Sequence, residues 1–477
     1  MIFTENGRKT EMARKNKKAA AAILGLPKVF ASPRIAALFF AALLSLSNAS
    51  IFAQGQIVVG AARFDKYKKL LQNKRVALAA NATSIIPGAE KSADDGAKNG
   101  AVHDLDFLLS KKINVVKVFA PEHGFRGKGE AGEIIKNDVD AKTGVPIFSI
   151  YGKSLKPSPE LLSDVDVMVY DIQDVGARFY TYISAMHYIM EACVQNNVPL
   201  VIFDRPNPNI DCVAGPIRDE RYKSYVSLDP IPTIYGLTAG ELAQMINGQG
   251  WLEGGIKCKL TVIPVKNYTR KSRYELPVAP SPNLPSHRAV RFYPFLCLFE
   301  ATAVSEGRGT EQPFTAVGYP DESFGQYVFT PRDIPGMATN PKHEGKKCYG
   351  LDLTGEPLYR LANSAAAGSL RLAKNSGGGN LGLANDSSSA AGSSSLANDS
   401  SFRPDGIFTL KYFIDFAKKL GGAKKMVDQP AGLARLWGND KLIEQIDSGM
   451  TEEEIRASWL PDVEKFLRDR KPYLLYK

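Results

Sequence analysis

The sequence predicts an α/β fold with a mostly parallel sheet, and three observations carry that prediction. Short, β-branched apolar runs bounded by turn residues recur between positions 75 and 203. A helical pattern with one apolar face separates the last two of them. Each run also stops abruptly at a polar side chain, as strands do when their carboxyl ends open onto a ligand crevice.

The chain has 477 residues, enough for two or three domains, with 44% hydrophobic and 23% charged residues. Those are ordinary globular values, which exclude a disordered chain, a disulfide scaffold and a polytopic membrane protein. Its +10 charge is unevenly placed. Residues 1–54 hold eight of the 60 Lys/Arg and two of the 50 Asp/Glu, so the remainder carries 52 against 48. A charge of +4 explains solubility and calls for no nucleic acid.

After that basic stretch, Ile35 to Leu46 (IAALFFAALLSL) is too short to span a bilayer but suits a signal-peptide core. Small residues follow, so residues 1–53 read as a signal peptide cleaved after Ala49 or Ala53, exporting the protein to the periplasm or cell exterior with no membrane anchor left. Cys193, Cys212, Cys258, Cys297 and Cys348 are widely spaced without a C-x-x-C, and read as core residues.

The predicted strands are Arg75 to Ala80, Val115 to Ala120, Pro146 to Ile150, Val165 to Tyr170 and Leu200 to Phe203. Between the last two, Ile183, Met186, His187, Met190, Cys193 and Val194 repeat at helical spacing, with His187 a core residue. Strands alternating with helices give a Rossmann-like layer, assigned to 56–285. Asn81, Glu122, Asp171 and Asp204-Arg205 end four of the strands, and should converge on one cleft.

The proline-rich segment up to Pro285 reads as a linker or as a rigid way to present the Asn283 amide. A second region, 286–477, follows. It contains a low-complexity insertion, 363–401, with LANDSS repeated, expected to be a disordered surface loop away from the cleft. Thr451-Glu452-Glu453-Glu454 is a capping box opening a final helix.

Motifs for zinc proteases, P-loop enzymes and serine hydrolases are missing from the sequence. One GxGxxG, Gly127 to Gly132, neither follows its strand directly nor opens a helix, so it does not read as a dinucleotide site. His123, His187 and His287 lack ligand spacing, so no metal is assigned.

Four stretches can carry chemistry. In FAPEHGFRG (119–127), Glu122 is either a partly desolvated general acid or an ion-pair partner of Arg126, beside His123. YDIQDVGARFYTY (170–182) offers Asp171 and Asp174 as carboxylates, Arg178 as a fork, and Tyr180 and Tyr182 as faces for sugar rings. Asp204-Arg205-Pro206-Asn207-Pro208 is a rigid turn or a binding loop. In SEGRGTEQPF (305–314), glycines allow close backbone approach while Glu306, Arg308 and Glu311 supply charge.

Together with AGPI (214–217), PTIYGLTAGELA (232–243), PSPNLPS (280–286), FEATAVSEGRGTEQPF (299–314) and RKPYLLY (470–476), these motifs resemble the exo-β-N-acetylmuramidases of the NamZ kind. The resemblance runs from about Arg75 to Tyr476 outside the serine-rich loop. It implies a Rossmann-like domain, a smaller α/β (α+β) C-terminal domain with a cleft between them, and release of N-acetylmuramic acid from the non-reducing end of peptidoglycan fragments. The family's cleft glutamate falls on Glu122. Glycoside hydrolysis pairs an acid with a second group, here Asp171, Asp174, Glu306, Glu311 or the substrate's own 2-acetamido group. Binding would fall to Asn81, His123, Arg126, Arg178, Tyr180, Tyr182, Asp204, Arg205, Asn283, Arg308 and Glu311. An arginine among 126, 178 and 308 should clamp the lactyl carboxylate of muramic acid. No cofactor is needed, and the partners are peptidoglycan-derived disaccharides or glycan ends. The alternative is a periplasmic muropeptide-binding module without turnover.

Overall fold

In the computed structural model, residues 55–88, 100–126, 137–152, 154–358 and 407–477 are described. The expected signal peptide, the GxGxxG stretch and the serine-rich insertion lie outside them.

The strands are β1 (Arg75–Ala80), β2 (Ile85–Ile86), β3 (Val102–His103), β4 (Asn114–Ala120), β5 (Asp138–Val139), β6 (Pro146–Ser149), β7 (Val167–Asp171), β8 (Leu200–Phe203), β9 (Leu260–Ile263), β10 (Ala316–Tyr319), β11 (Tyr327–Phe329) and β12 (Cys348–Asp352). The first five helices are α1 (Phe64–Leu71), α2 (Asp104–Ser110), α3 (Pro159–Leu162), α4 (Tyr182–Gln195) and α5 (Ala239–Gln249). They are followed by α6 (His287–Leu296), α7 (Lys411–Lys419), α8 (Ala423–Met426), α9 (Pro430–Trp437), α10 (Leu442–Asp447) and α11 (Glu452–Asp469).

Seven strands form one sheet in the order β5-β6-β4-β1-β7-β8-β9, parallel throughout except for the short edge strand β5. β7 and β8 are buried at every position, which is why they read as unbroken apolar runs rather than alternating ones. Their side chains nonetheless segregate with period two. Val167, Val169, Val201 and Phe203 join a core with Tyr67 and Leu71 of α1 and Leu105 and Leu108 of α2. Met168, Tyr170, Leu200 and Ile202 face the other way, into a larger core with Met186 and Ile189 of α4. That second core continues without a break to Phe413, Trp437 and Trp459 of the C-terminal helices. The three-stranded antiparallel sheet β10-β12-β11 belongs to the same half of the chain. The capping box predicted at Thr451 and Glu454 opens α11.

From β1 the chain moves outward to β4 and β6, then returns to β7 on the other side of β1. The sheet therefore changes direction between β1 and β7, where doubly wound proteins commonly bind ligands. Here that crevice is filled by protein. Arg205 forms a two-pronged ion pair with Asp171, Nε to Oδ1 at 2.5 Å and Nη2 to Oδ2 at 2.8 Å, with both side chains buried. Asp104 lies against this pair, and burial followed by the Asp171 charge raises its pKa well above the carboxylate range. The open site lies one strand further out, at the end of β4.

Candidate active site

A cavity of about 370 Å³ including its mouth is walled by five segments of the chain. Glu122 and His123 come from the end of β4, and Phe179, Tyr180 and Thr181 from the loop before α4. Ser281, Asn283 and Leu284 come from the proline-rich segment, Tyr293 from α6, and Arg308 and Phe314 from the loop before β10. The 370 Å³ figure takes in open solvent in front of the walls, and the enclosed space is about 60 Å³.

Glu122 is set by a turn. Pro121 closes β4, and the Gly124 N–H donates to the Pro121 carbonyl at 3.1 Å, with His123 at φ 70° and Gly124 at φ 71°. Left-handed backbone is costly for a residue with a Cβ, so the surrounding packing must hold His123 there. Phe125 anchors the far side of the turn against the His103 ring, at 4.8 Å between centroids. The Glu122 carboxylate is half-buried and accepts a hydrogen bond from Thr181 Oγ1 at 2.9 Å. The Tyr151 hydroxyl is bonded to it as well, and burial followed by the Glu122 charge raises that phenol's pKa.

The opposite wall is aromatic. Tyr293 meets Phe179, Tyr180 and Phe314 at 5.3, 5.8 and 5.0 Å, all edge to face. The hydroxyls of Tyr180 and Tyr182 both donate to the Pro280 carbonyl, at 2.8 and 2.9 Å. That double bond fixes the proline-rich segment, which is thus a presenting loop. Asn283, 2% exposed, gives its Nδ2 to the Met337 carbonyl, while its Oδ1 has no partner among the described residues. A buried acceptor without a donor is costly unless something else supplies one.

In the last wall, Gly307 at φ 83° turns the chain where a Cβ would stand 2.5 Å from the Gln312 carbonyl oxygen. Phe314, at φ 55°, is a second strained residue lining the cavity. Arg308 lies over its ring at 5.0 Å and is held by Glu300 (Nη2 to Oε1, 2.6 Å) and Glu306 (Nε to Oε1, 3.4 Å). Lys342 binds Glu306 from behind at 3.1 Å.

The structure thus brings Glu122, His123, Tyr180, Asn283 and Arg308 together, with Tyr182 directly behind Tyr180 at 4.7 Å. The expected convergence of four strand ends does not occur. Asp171 and Arg205 satisfy each other in the filled crevice, because a buried charge is tolerable only when paired. Asn81 closes the turn after β1, accepting from the Thr83 N–H and hydroxyl at 2.9 and 2.6 Å. Asp174 accepts from Tyr235 and from the Gly176 N–H, and burial raises it to about 6.

Asp204 is buried among Thr238, Gly240 and Tyr476, which donate to it at 2.7, 2.8 and 2.6 Å. Arg178 is fully buried and gives its Nη1 and Nη2 groups to the carbonyls of Pro216, Ile231 and Leu436, with Nε left without a partner among the described residues. Burial and then the Arg218 charge lower its pKa to about 9. Glu306 sits behind Arg308, and Glu311 is exposed outside the cavity lining. Arg126 is committed to Asp140 at 2.8 Å and Asp106 at 3.6 Å, which replaces the alternative pairing with Glu122. None of the three expected arginines is an uncommitted clamp.

Thr181, Ser281, Tyr293, Phe314 and Tyr151 were not singled out from sequence. Thr181 and Ser281 lie inside motifs already noted, while Tyr293 is hidden in a helical pattern. Tyr151 follows β6, the one strand whose carboxyl end was not considered. His187 is buried as expected but not apolar in role. Burial would lower its pKa, but bonds to Asp229 (2.8 Å) and Glu191 (3.4 Å) outweigh this and raise it to about 9. All five cysteines are buried and none is in a disulfide. Among the described residues no cluster of His, Cys, Asp or Glu could hold a metal ion.

The model of the NamZ exo-β-N-acetylmuramidase N-terminal domain matches residues 76–288, and that of its C-terminal domain matches 291–373 and 393–476. This chain belongs to the NamZ family. It is similar to the peptidoglycan β-N-acetylmuramidase NamZ of Bacillus subtilis, with 39% identity over 302 residues, 60% of this chain and 69% of the relative. Two solved DUF1343-family proteins of Bacteroides fragilis share the fold. One is 39% identical with TM-score 0.70, covering 89% of this chain and 99% of its own. The other is 26% identical with TM-score 0.64, covering 88% and 99%. As a NamZ-family member the chain is a glycoside hydrolase.

Proposed function

We propose that this enzyme releases N-acetylmuramic acid from the non-reducing end of peptidoglycan fragments, with Glu122 as general acid. The observation that carries the reading is a cavity aromatic on one wall, with Glu122 the only one of the proposed carboxylates lining it. In the first step Glu122 gives its proton to the glycosidic oxygen as the C1–O bond breaks, and water finally takes the anomeric carbon. Asn283 Oδ1 is the acceptor for the N–H of the sugar's 2-acetamido group. That contact would hold the acetamido oxygen near C1, as in substrate-assisted hydrolysis. Selectivity for the lactyl carboxylate then falls to the rim of the cavity rather than to a free arginine.

Export with cleavage near residue 49 or 53 belongs to the same proposal, as does a division into a sheet domain and a C-terminal domain near residue 285. Export would put the active cleft where cell-wall fragments are found. The test is chromophore release from aryl β-N-acetylmuraminide and aryl β-N-acetylglucosaminide. Release from the muraminide alone, lost ~100-fold or more in Glu122→Gln, is expected for removal of an acid catalyst. Binding without turnover by both proteins would replace the hydrolase reading with that of a muropeptide-binding module.

A further inference from the structure

A row of three tyrosines leads away from Glu122 on the side that does not line the cavity. Tyr151 is bonded to Glu122, its ring is 6.0 Å from Tyr225, and Tyr225 stacks on Tyr188 at 6.2 Å with planes only 10° apart. All three are partly exposed. Tyr188 is the exception on α4, where every other residue from Tyr182 to Cys193 is buried. A large aromatic at the one partly exposed position between Tyr182 and Cys193 is poorly explained by core packing.

The row is also held in place by its surroundings. Tyr225 sits at the tip of a short loop closed by two backbone bonds between Ser224 and Ser227, at 3.2 and 2.9 Å. The charged His187 ties α4 to the end of that loop through Asp229 at 2.8 Å. The Tyr225 hydroxyl is buried without a partner among the described residues and lies in the field of Glu122. A hydroxyl left over in the field of an acid catalyst, beside three partly exposed tyrosine rings, matches a sugar: hydroxyls along the edge and an apolar C–H face.

We infer that Tyr151, Tyr225 and Tyr188 bind the leaving saccharide, the N-acetylglucosamine side of the scissile bond, so that Glu122 stands between the cavity and an aromatic platform. This rests on the acid role of Glu122. The cavity takes the terminal sugar, and the platform takes the sugar that departs with the proton from Glu122.

The test compares two substrates that fill the cavity equally, the N-acetylmuramyl-N-acetylglucosamine disaccharide and methyl β-N-acetylmuraminide. Tyr188→Ala and Tyr225→Ala should lower kcat/KM for the disaccharide by ~3–10-fold each, the worth of one aromatic contact, and leave the methyl glycoside unchanged. Tyr188→Leu, which keeps apolar volume, serves if an alanine variant does not fold. An equal fall on both substrates, or none on either, overturns the platform.

Saturation-transfer NMR on the Glu122→Gln protein with the same disaccharide reads the contact without turnover. Transfer from aromatic protons to the glucosamine ring, lost in the Tyr188→Ala background, is the expected result, and transfer confined to the muramyl ring sinks the inference. A wild-type enzyme inert on both substrates would remove the Glu122 reading, while the NMR result would still decide the fate of the row.

Discussion

Two regions of this molecule are both dense in motif residues, yet only one has chemistry left to offer. Around Asp204, motifs from three distant parts of the chain meet. Its carboxylate takes the Thr238 hydroxyl, the Gly240 N–H and the Tyr476 hydroxyl, while neighbouring Glu241 takes Arg270 and the Leu475 N–H at 2.8 Å each. Gly240 approaches so closely that a Cβ would stand 2.8 Å from the Asp204 carboxyl carbon. Around Glu122 the polar groups are only partly used, with Asn283 Oδ1 left over and the carboxylate half open to the cavity. A buried polar residue that closes on protein is scaffold, and one with unused capacity beside space is a site.

The sharpest break of that contrast is a reciprocal pair. Glu122→Gln should lose ~100-fold or more in turnover with an unchanged melting temperature. Asp204→Ala should instead lose roughly 2–4 kcal/mol of stability in denaturant titrations, because three buried donors lose their acceptor. Activity per folded molecule should stay near wild type. If Asp204→Ala were stable but inactive, the scaffold assignment would be wrong.

A smaller effect is expected at Asn283. Asn283→Ala should cost about 10-fold in kcat/KM on N-acetylated substrate, as when a site loses a substrate-specific hydrogen bond. It should also discriminate less against an analogue lacking the acetamido group. A uniform loss on both analogues would return Asn283 to a purely structural role.

The smallest effect concerns pH. His187 has a folded pKa of about 9 against an ordinary 6.5, so its charged form stabilises the fold fully below about 6.5. That contribution should fade as pH rises toward 9. Thermal melts between pH 6.5 and 9.5 should show the decline, and His187→Gln should flatten it. Asp174 and Asp204, raised to about 6 by burial, act in a lower window. Each favours the fold below about pH 4 and loses that effect as pH climbs through 6.

The parallel sheet was legible because its central strands are buried on both faces, which leaves runs such as VMVYD and LVIF almost without polar interruption. β9 and the strands from β10 to β12 were missed. They are short and partly exposed, so their pattern is weak. In the site, Glu122 and Asn283 were legible from proline-bounded motifs, and Arg308 from its glycines. Asp171, Asp174, Arg178, Asp204 and Arg205 had the same local appearance as Glu122, since a strand end followed by charge looks alike whether it meets a ligand or another side chain.

The sequence by itself determined the layered α/β architecture and the family, because periodicity and the order of motifs are read directly along the chain. Only the tertiary structure decided that the direction-change crevice is plugged by Arg205 and Asp171, that the arginines are already committed, and that the open cavity lies at the end of β4. The physical reason is that a polar group's function depends on which of its hydrogen bonds and charges remain unspent. Its partners come from up to 272 residues away, as between Asp204 and Tyr476.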